Sequence, residues 1–395
     1  MKCLVIHNEY GRFSGEEAVL RDIRALLEGN GHVVTPFIRR SDEIPHMLFG
    51  EARAFFSGIY SVSSRRRMRR LLAECRPDVV QVQNLFPLIS PSVLPECTRA
   101  GIPIVMMLPN YRLTCPSGLH MREGCVCEKC TGGREYWCAV NNCEGSFLKS
   151  VGYAARSYIA RKCRLFRDNV TVYYALTEFQ RQRMLDDGVR PDRIGVIPNM
   201  VMPVALHGDP PLGDYVAYAG RVSPEKGVDT LIAAARQLPD VQFKAAGSFD
   251  RMPAILDGAP PNFQFLGHLN GHKLHDFYGA ALMLVLPSKC FEGLPIVAVE
   301  AMMLAKPVVC SRIGGLPEVV EGGVTGLLFE PGNSDELADS IRYLWERPEL
   351  CRTMGEAGRR KALTEYSPQK YYERLMAIYR KAIELGPGGP DVHGV

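Results

Sequence analysis

Short apolar runs alternate with amphipathic stretches along most of this chain. Before residue 200, the runs that predict buried strands are Lys2–His7, His32–Phe37, Asp78–Val82, Ile104–Leu108, Val170–Leu176 and Ile194–Pro198. Apolar residues at helical spacing predict helices between them at Glu16–Leu27, about 146–166 and Glu178–Leu185. Strands that are apolar throughout and separated by helices are typical of a parallel sheet with helices on both faces.

The same alternation restarts after 200–214, an aperiodic segment with Pro and Gly that is predicted to be a linker. The predicted strands beyond it are Tyr215–Ala219, Val241–Ala246, Phe263–Leu266, Leu282–Leu286 and Val308–Cys310. Predicted helices fall near 228–237, 272–281, 295–304, 316–321 and 334–345, and 349–385 is predicted to be helical. Because 395 residues exceed what one core usually serves, these two series predict two Rossmann-like α/β domains.

Composition narrows the class of protein. Hydrophobic residues make up 46% and charged residues 23%, as in ordinary soluble globular proteins. No apolar run reaches membrane-spanning length, and the N-terminus predicts a strand rather than a signal peptide, so we expect a cytoplasmic protein. The net charge of +4 is small, which argues against a nucleic-acid partner and leaves room for peripheral contact with the anionic inner face of a membrane.

The segment after the predicted strand Leu282–Leu286 carries the most informative chemistry. It delivers Glu292 and the backbone N–H groups of Gly293 and Leu294 to a helix start near Pro295, and Glu300 follows within that helix. In an open parallel sheet, ligands bind at the carboxyl ends of strands, and helix N-termini favour anions. The two carboxylates are candidates to accept hydrogen bonds from ligand hydroxyl groups.

Two other loops end predicted strands in a similar way. Gly220–Gly227 follows Tyr215–Ala219 and places Arg221 and Lys226 where two cations can hold a diphosphate. The loop Ser14–Glu17 precedes the first helix, and Gly15 would let a phosphate approach the backbone N–H groups. A solvated charged loop and a plain loop glycine are the alternatives for these two segments.

These segments resemble the motifs of the large retaining glycosyltransferase family 4, also called glycosyl transferases group 1. The likeness rests on Glu292 and Glu300 in Glu-x7-Glu spacing, on Gly-Arg…Lys-Gly at 220–227, and on the Gly-Gly turn of 309–318. The resemblance implies the GT-B fold, with two Rossmann-like domains facing a cleft. The implied boundaries are 1–199 for an N-terminal acceptor domain, 200–365 for a C-terminal nucleotide-sugar donor domain, 366–385 for a helix that crosses back to the N-terminal domain, and 386–395 for a flexible tail.

The resemblance also implies an activity and a set of site residues. It implies that the protein transfers a hexosyl or N-acetylhexosaminyl group with retention of anomeric configuration. The implied donor is a nucleotide diphosphate sugar, most simply a UDP-sugar, and the implied acceptor is a saccharide, a lipid-linked molecule or a small molecule. The resemblance implies no obligate catalytic metal. The implied catalytic residues are Arg221, Lys226 and Glu292. The implied donor-binding residues are Gly15, Gly220, Phe291, Gly293, Leu294, Pro295 and Glu300, and the acceptor-side candidates are Asn84, Asn110 and Arg112.

The N-terminal half departs from the family pattern at two positions. Relatives often carry histidines where this chain has Gln83 and Pro109. Proline can neither donate a backbone hydrogen bond nor bind a hydroxyl group through its side chain. An alternative therefore stays open, in which the protein binds a sugar nucleotide without turning it over. A GT-B phosphorylase or synthase is a further alternative, disfavoured because no cofactor lysine motif stands out.

Six of the thirteen cysteines crowd into a Gly-rich insertion at about 113–145. They are Cys115, Cys125, Cys127, Cys130, Cys138 and Cys143. Four thiolates could hold a structural zinc and so stabilise a segment that has few apolar residues. Disulfides and free thiols are the other two interpretations, the former disfavoured in a reducing compartment.

A cationic run lies at Ser64–Leu72, with Arg at 65–67, 69 and 70. A solvated helix face is the favoured interpretation, and a helix that attracts anionic lipid is the alternative.

Overall fold

The structure is a computed structural model that describes residues 1–389 except 11–14, 48–49, 205–211 and 251, with the backbone alone at 51–53. Residues 205–211 of the linker predicted at 200–214 therefore lie outside the described residues. The chain folds into two compact units. Unit 1 comprises the described residues of Met1–Gly118, Glu128–Ile197 and Tyr371–Val395, and unit 2 comprises Leu119–Cys127 and those of Pro198–Lys370.

The described strands fall into two series along the chain. Those before residue 200 are β1 (Lys2–Glu9), β2 (Val33–Arg40), β3 (Val79–Asn84), β4 (Ile104–Met107), β5 (Met121–Arg122), β6 (Cys125–Val126), β7 (Val172–Ala175) and β8 (Ile194–Val196). Those after it are β9 (Val216–Ala219), β10 (Phe243–Ala246), β11 (Phe263–Gly267), β12 (Met283–Leu286), β13 (Val308–Ser311) and β14 (Gly326–Phe329).

The described α-helices fill most of the intervals between these strands. Those before residue 200 are α1 (Gly15–Gly29), α2 (Gly50–Ile59), α3 (Val62–Cys75), α4 (Leu94–Arg99), α5 (Tyr136–Val140), α6 (Phe147–Lys162) and α7 (Glu178–Asp186). Those after it are α8 (Val228–Gln237), α9 (Gly271–Gly279), α10 (Ile296–Met303), α11 (Leu316–Val319), α12 (Ser334–Trp345), α13 (Pro348–Glu365) and α14 (Pro368–Leu385).

Each unit contains one parallel sheet, which confirms the α/β class and the two Rossmann-like domains. The strand order is β2-β1-β3-β4-β7-β8 in unit 1 and β11-β10-β9-β12-β13-β14 in unit 2. In both sheets the chain moves outward from a central strand and then returns to build the other side. Such a reversal leaves a crevice at the carboxyl ends of the two central strands, where doubly wound folds bind ligands. These strands are β1 and β3 in unit 1, and β9 and β12 in unit 2.

Separate cores stabilise the two units. In unit 1, Leu4, Ile6, Val80 and Val82 pack with Met68 in one buried cluster. In unit 2, the cluster contains the inner strands together with one face of α8 and of α12, including Leu231, Leu337 and Ile341. The N-termini of α3, α7 and α12 are capped by Ser61, Thr177 and Asn333, whose side-chain oxygens accept backbone N–H groups.

The last helix packs on the first sheet through a buried polar network. The Tyr379 hydroxyl donates to Gln81 Oε1, and Gln81 Nε2 donates to the Tyr174 hydroxyl at 3.1 Å. Tyr174 in turn lies 3.3 Å from the Tyr371 hydroxyl, and Cys3 Sγ lies 3.5 Å from that of Tyr379. All five side chains are buried, so the docking of α14 depends on specific partners as well as on apolar contact.

Three features differ from the sequence-based expectations. The helical stretch predicted at 349–385 is broken at Tyr366 and Ser367, because the residue before Pro368 disfavours helical geometry. Strand β2 runs on to Arg40 despite Pro36, which an edge strand tolerates. Within the insertion assigned to the N-terminal domain, Leu119–Cys127 groups with unit 2. Among the described residues, no helix is long and apolar enough to cross a membrane.

Candidate active site

The crevice of unit 2 brings together the two segments that the sequence singled out. Arg221 and Lys226 follow β9, and Glu292 follows β12, the neighbouring strand at the reversal point of the sheet. Lys226 Nζ lies 2.7 Å from Glu292 Oε1, and the Ser288 hydroxyl donates to the same oxygen at 2.5 Å. Residues far apart in the chain thus meet where this fold binds ligands.

The Lys226–Glu292 contact is a partly buried ion pair. The exposed fraction is 24% for the Lys226 side chain and 12% for that of Glu292. Burial alone would lower the pKa of Lys226, but the Glu292 carboxylate raises it above its usual value. Burial would likewise raise the pKa of Glu292, yet Lys226 and the Ser288 hydroxyl keep it below its usual value. Both groups are therefore charged at neutral pH.

Arg221 is the more accessible cation of this crevice. Its side chain is 53% exposed, and Nη2 lies 3.4 Å from Glu225 Oε1, an ion-pair distance without hydrogen-bond geometry. The Tyr218 hydroxyl donates to the Arg221 carbonyl at 2.6 Å and so fixes the backbone. The preceding Gly220 has φ of +149°, a conformation that favours glycine. An exposed guanidinium on a fixed loop is suited to an anionic ligand.

Two glycines allow the loops of unit 2 to approach the Glu292 segment. A Cβ on Gly227 would lie 1.8 Å from the Pro287 carbonyl oxygen, and one on Gly314 would lie 2.6 Å from the backbone nitrogen of Glu292. Both have positive φ, of +68° and +60°. The Gly315 N–H also donates to the Glu292 carbonyl at 2.9 Å. The loops after β9 and β13 therefore hold the loop after β12 in place.

Most of the expected donor-binding residues lie in the segment that leads into α10 or within that helix. Pro295 is the N-cap residue and the helix begins at Ile296, so Gly293 and Leu294 precede its first turn. Glu300 accepts a hydrogen bond from the Tyr278 hydroxyl at 3.2 Å. Phe291 is buried, and its ring centroid lies 5.5 Å from that of His120, which also belongs to unit 2. Sequence reasoning missed Ser288, Tyr278 and His120.

A second polar cluster lies in unit 1, after β1 and β4. Asn110 Nδ2 donates to Glu16 Oε1 at 3.1 Å, and the Tyr10 hydroxyl donates to Glu16 Oε2 at 3.0 Å. Arg112 Nη1 donates to the Tyr10 hydroxyl at 2.9 Å. The structure therefore unites Asn110 and Arg112, two of the expected acceptor-side residues, and adds Tyr10 and Glu16, which sequence reasoning missed.

Asn84 has a different environment from the other two acceptor-side candidates. Its amide group donates to the carbonyls of Asn8 and Phe86, and its Oδ1 accepts the Phe86 N–H. These bonds shape the turn after β3, so the side chain is engaged by backbone groups. Gly15 is the first residue of α1, and a Cβ there would meet no atom within 4 Å, while Ser14 lies outside the described residues.

The carboxyl ends of β1 and β3 carry two further polar side chains. His7 and Gln83 are buried, and neither forms a side-chain hydrogen bond within the described part of the chain. Burial lowers the pKa of His7 to about 4, so its ring is neutral at physiological pH. Gln83, where the family resemblance led us to expect a histidine, is the penultimate residue of β3 and so lies at the edge of the unit 1 crevice.

The six cysteines of the insertion are divided between the units. Cys125 and Cys127 belong to unit 2, and the other four to unit 1. Cys130 and Cys138 share a small core with Ala154, and Cys143 packs against it. Burial and the neighbouring thiols of Cys143, Cys130 and Cys115 raise the pKa of Cys138. All six are free thiols, and no group of three or more metal-ligating side chains among the described residues is placed to hold an ion.

Comparison with known proteins identifies the family. The model for "Glycosyl transferases group 1" matches residues 209–361, and that for "Glycosyl transferase 4-like domain" matches residues 14–200. The chain belongs to the group 1 glycosyltransferases. Together the two matches cover most of both series of strands and helices, while β1 and α14 lie outside them.

Similar proteins agree with this assignment. The chain is 36% identical to alpha-maltose-1-phosphate synthase of Mycolicibacterium smegmatis over 42% of its own length and 47% of that protein. It is 33% identical to alpha-D-kanosaminyltransferase of Streptomyces kanamyceticus over 42% of its length and 45% of that protein. These matches therefore span about half the length of the relatives.

A solved structure shows the same fold over nearly the whole chain. The Anabaena protein HepE, in complex with UDP-glucose, superposes with a TM-score of 0.65 at 20% identity. The superposition covers 95% of this chain and 100% of HepE. This confirms the GT-B fold implied by the family resemblance.

Proposed function

We propose that this group 1 glycosyltransferase transfers a sugar, with retention, from a UDP-sugar to a hydroxyl group of its acceptor. The observation that carries the proposal is the placement of Arg221, Lys226, Glu292 and Glu300 around the β9/β12 crevice. The UDP-glucose bound to HepE, a protein of the same fold, supports UDP as the nucleotide. In this assignment Glu300 accepts hydrogen bonds from the ribose, and the two cations bind the diphosphate.

The geometry suggests how the negative charge that develops on the diphosphate is stabilised during transfer. The bond between the anomeric carbon and the diphosphate oxygen breaks, and its electron pair leaves with the diphosphate. Arg221 and Lys226 stabilise that growing negative charge. When the diphosphate takes Lys226 as its partner, Glu292 is left to accept a hydrogen bond from a sugar hydroxyl, still oriented by Ser288.

Retention follows from a front-face displacement. The acceptor oxygen bonds to the anomeric carbon on the face that the diphosphate leaves, and its proton passes to a phosphate oxygen. This route needs no protein nucleophile, which agrees with the assignment of Glu292 to a sugar hydroxyl while the Ser288 hydroxyl still donates to its carboxylate.

The test of the proposal is nucleotide release coupled to product formation. Purified protein is incubated with UDP-glucose, UDP-N-acetylglucosamine and their GDP counterparts, with and without a panel of sugar and lipid acceptors. We expect UDP to be released only when an acceptor is present. EDTA should not change this release, because two protein cations neutralise the diphosphate. NMR should show that the new glycosidic bond is axial, as the bond to the diphosphate is in the donor. A protein that binds UDP-sugars but releases no UDP with any acceptor supports the alternative, a sugar-nucleotide-binding protein. Absence of nucleotide binding contradicts both.

We also propose peripheral contact with a membrane, on the basis of exposed apolar side chains on the surface of unit 1. Phe56 is 65% exposed and Leu148 is 78% exposed, and the ring of Phe55 lies against the α6 backbone at Gly152, one turn from Leu148. Arg66 and Arg70 of α3 are exposed, and the partly buried Arg65 of the same helix places its guanidinium 5.1 Å from the ring of the exposed Tyr60. Apolar side chains next to cations are the features of an anionic lipid surface binder.

Sedimentation with vesicles checks the membrane proposal. We expect binding to phosphatidylcholine vesicles that contain phosphatidylglycerol, little binding to pure phosphatidylcholine, and loss of binding in F56S/L148S. The exposed Arg190→Gln change is the matched control. Equal binding of the double variant and the control contradicts the proposal.

A structural zinc is likewise kept as a proposal, now limited to the thiols that lie near Cys138. These are Cys115, Cys130, Cys138 and Cys143. Because the described side chains are not arranged around an ion, binding would require their rotation. Elemental analysis of reduced protein should find about one zinc per chain, and its absence would contradict this proposal.

A further inference from the structure

Arg156 is a buried cation that the mechanism above does not use. It lies on α6, and only 8% of the residue is exposed. Its guanidinium carbon sits 3.7 Å from the Tyr153 ring centroid and 4.4 Å from that of Phe86. Nη2 donates to the Pro116 carbonyl at 3.2 Å, while Nε is buried without a hydrogen-bond partner. Phe86 follows β3, so this guanidinium lies at the carboxyl end of a central strand.

Arg112 belongs to the same neighbourhood. It follows β4, bonds to the Tyr10 hydroxyl and lies 5.3 Å from the Tyr10 ring. The turn that carries the Pro116 carbonyl continues to Gly118, where a Cβ would lie 2.9 Å from Arg112 Cγ. One turn of the chain therefore contacts both arginines. Arg112 remains partly exposed, so an anion can reach this pair from solvent.

Among the described residues, neither Arg112 nor Arg156 forms an ion pair at contact distance. Glu16 and Glu144 favour the charged forms of Arg112 and Arg156 from farther away, and the Glu16 oxygens bond to Asn110 and Tyr10. Burial and the nearby charge of Arg112 lower the pKa of Arg156 to about 10. Buried charges are normally paired, because desolvation without a partner costs several kcal/mol. Two neighbouring guanidiniums, one of which has a buried N–H without a hydrogen-bond partner, are suited to binding an anion.

We propose that Arg112 and Arg156 form an anion site in the crevice of unit 1 that binds a phosphate group on the acceptor substrate. The proposal rests on the proposed function and narrows its acceptor to a phosphate-bearing molecule. Two planar guanidiniums match the double charge and oxygen geometry of a phosphate monoester better than they match a neutral sugar. The phosphate can belong to a soluble sugar phosphate or to a lipid phosphate.

The test removes the donor-side cations first, since they also attract phosphate. The full chain carrying R221A/K226A is titrated with inorganic phosphate, with sodium chloride at equal ionic strength as the reference, and the unfolding temperature is followed. We expect a phosphate-specific rise in this background. R112Q and R156Q, each added separately, should weaken the apparent phosphate affinity at least about tenfold. R190Q, an exposed arginine paired with Asp192, should leave it unchanged.

Two further measurements keep the proposal falsifiable. If R156Q does not fold, R112Q and R156K carry the test, and R156K should retain part of the phosphate response because the charge remains. Glucose 1-phosphate and dihexanoyl phosphatidic acid, a soluble lipid phosphate, are then compared as ligands, and the tighter binder identifies the source of the phosphate. A phosphate response that is absent in R221A/K226A, or that persists in R112Q, overturns the anion site. Failure of the proposed function would instead show as a wild-type protein that binds no UDP.

Discussion

At the scale of single residues, the candidate site of unit 2 depends on a few specific contacts. Glu292 pairs with Lys226, and Glu300 accepts a hydrogen bond from the Tyr278 hydroxyl. Asn84 could not be assigned from its type, because an asparagine that binds ligand and one that closes a turn look alike in sequence. The Gly-Gly turn at 314–315 is a weak signal alone, yet Gly314 permits the closest approach to the Glu292 backbone.

Glu300→Gln should weaken UDP binding by about 1.5–3 kcal/mol while leaving the fold intact, since it removes one charge-assisted hydrogen-bond acceptor. Isothermal titration calorimetry measures the affinity, and Glu349→Gln, an exposed carboxylate on α13, is the control. Unchanged affinity in the Glu300 variant would remove this residue from the site.

Gly227→Ala should disturb the site more than an ordinary glycine substitution. The new Cβ would lie 1.8 Å from the Pro287 carbonyl oxygen, so the loop that carries Lys226 must shift away from Glu292. Gly323→Ala provides the control, because Gly323 has φ of +81° but no atom within 4 Å of the added Cβ. We expect the free energy of unfolding to fall by about 1 kcal/mol in both variants, because alanine disfavours the left-handed backbone conformation. It should fall further in Gly227→Ala, which should also bind UDP at least tenfold more weakly than the wild-type protein does. Equal effects would show that the close approach is unimportant.

At the scale of elements, the alternation of apolar runs was sufficient to predict the sheets, because a strand of a parallel sheet is recognisable from its own residues. Contacts between side chains that are far apart in the chain could not be recognised from the sequence. The cationic run of α3 looks solvated, yet Arg65 and Arg69 both bind the buried Glu96 of α4, which Arg99 also contacts. The grouping of Leu119–Cys127 with unit 2 has no local signal either, since β5 and β6 have two residues each and none of these residues is buried.

The Glu96 cluster predicts a pH-dependent contribution to stability. Burial alone would raise the pKa of Glu96, but its bonds to Arg69 and Arg65 lower it to about 2 from an ordinary 4.5. Because the folded-state pKa is the lower one, the stabilisation is fully present above about pH 4.5 and is lost as the pH falls towards 2. Glu96→Gln should therefore lower the free energy of unfolding by about 1–3 kcal/mol near neutral pH and by progressively less as the pH falls. Urea unfolding of both proteins between neutral and acid pH measures the difference, and a constant difference contradicts the assignment.

At the scale of the whole molecule, the contacts of the last helix and the proposed nucleotide contacts belong to different units. The network of Tyr379 with Gln81 and Cys3 fixes α14 on the sheet of unit 1, whereas the proposed UDP contacts belong to the crevice of unit 2. Each unit has its own core, and a local perturbation acts most strongly on the cooperative unit that contains it.

Tyr379→Phe should therefore loosen unit 1 and leave UDP affinity unchanged. It leaves the buried Gln81 oxygen without its donor, at a cost of about 1–3 kcal/mol, whereas the exposed Tyr343→Phe should cost almost nothing. Hydrogen exchange followed by mass spectrometry should show faster exchange in peptides that cover β1, β3 and α14. UDP should slow exchange in the loops after β9 and β12 equally in wild type and variant. If Tyr379→Phe instead abolished UDP protection in unit 2, the two units would be coupled through α14, and the assignment of separate roles would be wrong.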